Sequence, residues 1–186
     1  IPNIYVGNYS TSTNKNLLLE NEITHIITIM PSFKPAHSTT FKYTHIDVFD
    51  DEYQDLTYRF LETNTYIDSI LKENDRLFIN CLNGNNISIV ILLSYLVHLK
   101  NEEDKKKKKI YKNMYQGVYR TSHGLSDLEL VKINRGVLLH SNDEYKNLIT
   151  NNPKISQIHP DILLELIDIK SKKPNIDIRD NFLLQL

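Results

Sequence analysis

Apolar and polar positions alternate along the chain in a way that predicts strands and helices in turn. Ile4-Tyr5-Val6 followed by Gly7 reads as a short strand closing in a turn, and Leu17-Leu18-Leu19-Glu20 as a short helix. Ile23 to Ile29 is rich in Ile and Thr and stops at Pro31, which suits a buried strand. Pro31 to Thr40 reads as a loop, and Phe41 to Val48 as a third strand with alternating character. Leu56, Phe60, Ile67 and Leu71 share one helical face. Leu77-Phe78-Ile79 is a continuous apolar run, as in a strand covered on both faces, and Ile87 to Leu99 reads as a central buried helix. Strands alternating with helices predict an α/β fold: a central mixed, largely parallel sheet flanked by helices.

The pattern changes after Leu99. The charged run Glu102 to Lys109 reads as a solvated linker. Ser126-Asp127-Leu128-Glu129 and Ser141-Asn142-Asp143-Glu144 have capping-box form and predict two short helices. His159-Pro160 opens a further helix with Ile162, Leu163, Leu166 and Ile169 as its apolar stripe. The expected organisation is one domain over residues 1–186, with a long insertion at about 101–158 ahead of the last helices.

Charge and composition narrow the function classes. A formal net charge of -1 gives no global field that would draw nucleic acid or a membrane surface, and neither is expected as a partner. The single cysteine, Cys81, excludes an intramolecular disulfide framework and fits a reducing compartment, cytoplasmic or nuclear. The chain opens on Ile1 rather than Met, as expected of a trimmed segment, which leaves room for a targeting or lipidation signal ahead of it. The His residues are scattered without metal-ligand spacing and no glycine-rich dinucleotide fingerprint is present, so no metal or cofactor is expected.

The segment Leu77 to Ser88 carries the candidate chemistry. A buried strand runs into Cys81, a polar loop contains Gly84, and an apolar helix follows. Strand, loop and helix in that order turn successive backbone N–H groups into one concavity at a helix N-terminus, which suits an anion. A cysteine there could act as a nucleophile, whereas a lone cysteine after a core strand is more often inert packing.

Asn80-Cys81-Leu82-Asn83-Gly84-Asn85-Asn86-Ile87-Ser88 resembles the His-Cys-x-x-Gly-x-x-Arg-Ser signature of cysteine-dependent protein tyrosine phosphatases. Other segments resemble the dual-specificity branch of that superfamily. They are Ile4-Tyr5-Val6-Gly7, Ile23-Thr24-His25-Ile26-Ile27, Ile46-Asp47-Val48-Phe49-Asp50 with Asp55-Leu56, and the stretch from Lys173-Pro174-Asn175-Ile176 to Phe182-Leu183-Leu184-Gln185-Leu186. These matches fall in order over residues 1–99 and 160–186. The resemblance implies that Cys81 stands at the nucleophile that forms a phosphocysteine, Asp50 at the acid that protonates the leaving oxygen, and Ser88 at the hydroxyl that steadies the thiolate. It also implies a phosphate-binding loop made of Cys81, Leu82, Asn83, Gly84, Asn85, Asn86 and Ile87. Read without the resemblance, Asp50 could equally be a turn or helix-cap residue among Asp51, Glu52 and Asp55.

Two positions depart from the signature. Ile87 stands where the family has the arginine that clamps phosphate, and Asn80 where it has histidine. Arginine holds a phosphate with a rigid planar fork that even lysine does not reproduce. Removal of a single oxyanion donor typically costs about 2.7–4 kcal/mol, or about 10²–10³ in rate, and a lost cationic clamp should cost at least that. Of the other arginines, Arg59 is expected in the helix after the acid loop, Arg76 on the far side of the sheet from the loop, and Arg120 and Arg135 in the insertion; Arg179 completes the set. The expectation is a pseudophosphatase that binds a phosphoprotein or a kinase or phosphatase partner. The alternatives are a weak but active phosphatase using Cys81 and Asp50, and a docking module working through the insertion.

Overall fold

In the computed structural model, residues 2–51, 53–115, 160–172 and 174–186 are described. Strands β1 (Ile4–Asn8), β2 (His25–Ile29), β3 (Lys42–Ile46) and β4 (Leu77–Cys81) form one sheet in the order β1-β4-β2-β3. All three pairings are parallel, with Cys81 level with Asn8 on one side and Ile29 on the other. The α/β class and the largely parallel sheet are thus as the sequence pattern predicts. Every residue of β2 and β4 is buried, as befits central strands, whereas the edge strands β1 and β3 are only partly covered.

Side chains divide between the two faces with the period of two that strands impose. Ile27, Ile29, Leu77, Ile79 and Cys81 point into the main core. There they meet α3 (Thr57–Lys72), α4 (Ile87–Tyr115), α5 (Pro160–Lys172) and α6 (Asp180–Leu183). Ile26 and Phe78 point the other way, into a smaller cluster with Leu18, Ile23 and Phe41. Leu18 lies on α2 (Lys15–Glu20), which α1 (Tyr9–Ser12) precedes. Burial of each such large apolar side chain is worth about 1.5–3 kcal/mol, which makes these two clusters the main stabilising term.

Helices α3 and α4 are also joined by polar contacts. Ser94 Oγ donates to Asn64 Oδ1 at 3.2 Å, Tyr95 Oη donates to Asp68 Oδ1 at 2.9 Å, and His98 Nε2 lies 2.9 Å from Asp68 Oδ2. Burial works against the charge on Asp68, but the His98 and Tyr95 contacts together outweigh it and hold its carboxyl below the ordinary range.

Two expectations are corrected. Gly7 lies within β1 rather than in a turn after it. The charged run Glu102 to Lys109 is not a linker: α4 continues through it to Tyr115. Glu and Lys are good helix formers, and Lys105 pairs with Glu102 three residues before it, so a charged run extends a helix already nucleated by its apolar half. The two short helices predicted at 126–129 and 141–144 lie outside the described residues, as do Arg120 and Arg135.

Candidate active site

The loop from Cys81 to Asn86 leaves the C-terminal end of β4 and enters α4, whose first turn is closed by Ile89 and Val90 donating to the Asn86 carbonyl. Its sharpest bend is at Gly84, with φ of +70°, a conformation that costs other residues about 1–2 kcal/mol. Space there is as restrictive as conformation. A Cβ on Gly84 would stand 2.6 Å from Asn8 N and closer still to the Gly7 carbonyl. The loop is thus pressed against the end of β1, and Tyr9 N–H fastens it further by donating to Leu82 O at 3.3 Å.

Cys81 is 3 % exposed, yet its sulfur is not in a purely apolar setting. Its thiol donates to Ser88 Oγ at 3.2 Å, and Gly84 N–H donates to the sulfur at 3.2 Å. The structure therefore brings together Cys81, Gly84 and Ser88, as the signature requires.

Asp50 is separated from its acidic neighbours by what it touches. Asp51 Oδ1 accepts from Tyr53 N–H at 3.0 Å, and Asp55 Oδ1 accepts from Thr57 N–H and the Thr57 hydroxyl at 2.8 and 2.6 Å. Those are the turn and helix-start roles, and the two Thr57 contacts hold the Asp55 carboxyl below its usual range. Among the described residues, Asp50 takes neither role. Its Oδ1 accepts from Asn86 Nδ2 at 2.5 Å and lies 3.3 Å from Arg179 Nε. The segment carrying Asp50 and the cradle loop are thereby joined through Asp50.

The C-terminal segment holds both loops. Asp177 N–H donates to Asn85 O and Arg179 N–H to Asn86 Oδ1, each at 3.2 Å. On the acid-loop side, Gln185 Oε1 accepts from Leu56 N–H at 2.6 Å, Gln185 Nε2 donates to Gln54 O at 2.8 Å, and Asn181 Nδ2 donates to Asp51 O at 3.3 Å. Ile176, Ile178, Phe182 and Leu183 anchor the segment in the core.

The two departures from the signature have separate consequences. Asn80 is completely buried; its Nδ2 donates to Ile27 O at 3.2 Å and Thr28 Oγ1 at 3.1 Å, which ties β4 to β2 beside the cradle. Its Oδ1 has no partner among the described residues. Ile87, at the position of the signature arginine, does not face the cradle as a clamp would. Instead it is 1 % exposed and belongs to the main core, because the first turn of α4 is buried and a hydrocarbon gains most there.

The remaining arginines are now placed where described. Arg76 stands before β4, at the opposite end of the sheet from Cys81, bound to Glu22, Tyr5 Oη and the Asn21 carbonyl. Arg59 lies on α3 with Glu62 and the Tyr58 ring. Arg179, whose location the sequence pattern did not reveal, is the described arginine that reaches the cradle's rim. Among the described residues no group of three or more His, Cys, Asp or Glu is arranged to hold a metal ion.

Comparison with known proteins agrees with this geometry. Residues 4–121 match the model of the dual specificity phosphatase catalytic domain. Dual specificity protein phosphatase 1 of Arabidopsis thaliana is 32 % identical over 94 residues, which is 50 % of this chain and 48 % of that protein. MAP kinase phosphatase with leucine-rich repeats protein 1 of Dictyostelium discoideum is 33 % identical over 97 residues, 52 % of this chain and 11 % of that protein. The chain thus spans half or less of the length of these relatives. Among solved structures, human DUSP28 superposes with a TM-score of 0.62 at 12 % identity, covering 100 % of this chain and 89 % of that one, a likeness of fold alone. With more than half of its length matched to the family's model, this chain belongs to the dual specificity phosphatase catalytic-domain family.

Proposed function

We propose that this dual specificity phosphatase-like domain turns over phosphate esters poorly and serves to hold a phosphorylated side chain of a partner protein. The observation that carries this reading is Ile87, buried in the core at the position of the family's phosphate-clamping arginine. The transferred phosphoryl group spreads charge over its equatorial oxygens at the transition state, and a cation clamped on them is what an isoleucine cannot supply. Binding is less demanding than turnover. Backbone N–H groups at the start of α4 and the bend at Gly84 favour an anion without any side-chain charge. Such a module, acting in the cytoplasm or nucleus, would shield a phosphosite, compete with an active phosphatase or anchor a kinase. No cofactor enters this scheme.

The test joins binding to chemistry. A phosphotyrosyl peptide should bind more tightly than its unphosphorylated form, while mass spectrometry after long incubation should find no phosphocysteine on Cys81. Equal binding of both peptides, or ready accumulation of the covalent adduct, would contradict the proposal. The adduct would favour a second reading, a slow phosphatase using Cys81 and Asp50, for which the contacts of Cys81 with Ser88 and Gly84 are the support. Docking through residues 101–158 concerns residues mostly outside those described.

A further inference from the structure

We propose that Arg179 grips a bound phosphate dianion at the rim of the cradle from the C-terminal segment, which aids holding without replacing the transition-state clamp that position 87 lacks; this rests on the phosphate-holding role given above. The backbone around Arg179 is fixed to the cradle itself. Its own N–H is bonded to Asn86 Oδ1, and Asp177 N–H is bonded to Asn85 O. Ile176, Ile178 and Phe182, buried on either side, prevent the segment from drifting. The side chain, by contrast, is 49 % exposed, so it can reorient.

Its present partner is weakly held. Arg179 Nε is 3.3 Å from Asp50 Oδ1, the same oxygen that Asn86 Nδ2 engages, and the Asp50 side chain is 36 % exposed. Ion pairs this open to water are screened and hold their partners only weakly. A phosphate dianion offers the guanidinium two charges in place of one and oxygens spaced for a two-pronged grip. It would also be met by the N-terminus of α4. Exchange of Asp50 for phosphate is therefore downhill for Arg179, and the pair with Asp50 parks the cation beside the cradle until an anion arrives. Neither Arg59 nor Arg76 can compete, being committed on α3 and at the opposite end of the sheet.

Calorimetric titration with tungstate, a phosphate mimic, tests the assignment on the full chain. Arg179→Gln should bind tungstate about ten- to a hundredfold more weakly, the usual loss for one charge-assisted contact. Arg59→Gln should bind like the parent. Asp50→Asn, which frees Arg179 and removes a competing charge, should bind more tightly, an effect that a merely structural Arg179 would not give. If Arg179→Gln or Asp50→Asn fails to fold, the other variant still decides. Parent-like affinity in Arg179→Gln, or no gain in Asp50→Asn, overturns the role of Arg179 and leaves the phosphate-holding cradle standing. No tungstate binding by the parent overturns both.

Discussion

The side-chain amide of Asn86 donates to Asp50 Oδ1 while its carbonyl oxygen accepts the backbone N–H of Arg179. One residue at the start of α4 thus couples the acid loop, the cradle and the C-terminal segment, which are far apart in the chain. Asn86 is 4 % exposed, so both of its contacts are made with little competition from water. Asn86→Ala removes both and leaves their partners to find water. A loss of about 1–3 kcal/mol in urea unfolding is expected. A change below about 0.5 kcal/mol would mean that the three segments are held without it.

The cradle's shape depends on Gly84 for two reasons that add. Gly84→Ala must accept a left-handed backbone and a Cβ driven into the Gly7–Asn8 backbone. The conformational part alone is about 1–2 kcal/mol, and the steric part has no flexible side chain to give way. Thermal unfolding should show a loss above about 2 kcal/mol. A neutral substitution would contradict the close contact between the loop and β1.

Much of this arrangement was legible in the sequence because it is locally encoded. Leu77-Phe78-Ile79 announced a strand covered on both faces, and the polar loop around Gly84 followed by Ile87 to Leu99 announced the turn into a buried helix. The reach of α4 to Tyr115 is not legible in the same way, because a dense charged run looks like a solvated linker although its Glu and Lys are good helix formers. The place of Arg179 is hidden for a different reason: it meets Asn86 across 93 residues of sequence, and no spacing rule spans that separation. The only local hint was the alternation of buried Ile176 and Ile178 with exposed Asp177 and Arg179, which fixes a face and not a destination.

Placing the family's arginine back at position 87 has a cost that the sequence alone does not reveal. The site is closed and apolar, so Ile87→Arg removes core packing worth about 2–5 kcal/mol on truncation and adds a charge that must escape to the cradle. The variant should be less stable than the parent by at least about 2 kcal/mol, and about 10 mM phosphate should stabilise it more than the parent. Equal phosphate effects in the two proteins would show that an arginine at 87 cannot turn into the cradle.

His25 gives the fold a pH dependence. Burial, with Lys42 nearby, holds its imidazole below the ordinary value of 6.5, outweighing Asp75 and Glu73. Its Nδ1 lies 3.4 Å from Asp75, a contact that pulls the other way and does not prevail. Between the folded value and 6.5 the unfolded chain binds more protons than the native one, so this contribution is fully present above 6.5 and is lost as pH falls below it. Stability should therefore fall more between about pH 7.5 and about pH 5.5 in the parent than in His25→Gln. Parallel losses in the two proteins would show that His25 does not contribute.

Hydrolysis of a generic aryl phosphate, compared between the parent chain and Cys81→Ser, tests the missing clamp most directly. With the loss of a cationic contact costing at least about 10²–10³ in rate, the parent should run close to the serine variant. Turnover by the parent far above that of Cys81→Ser would contradict impaired catalysis.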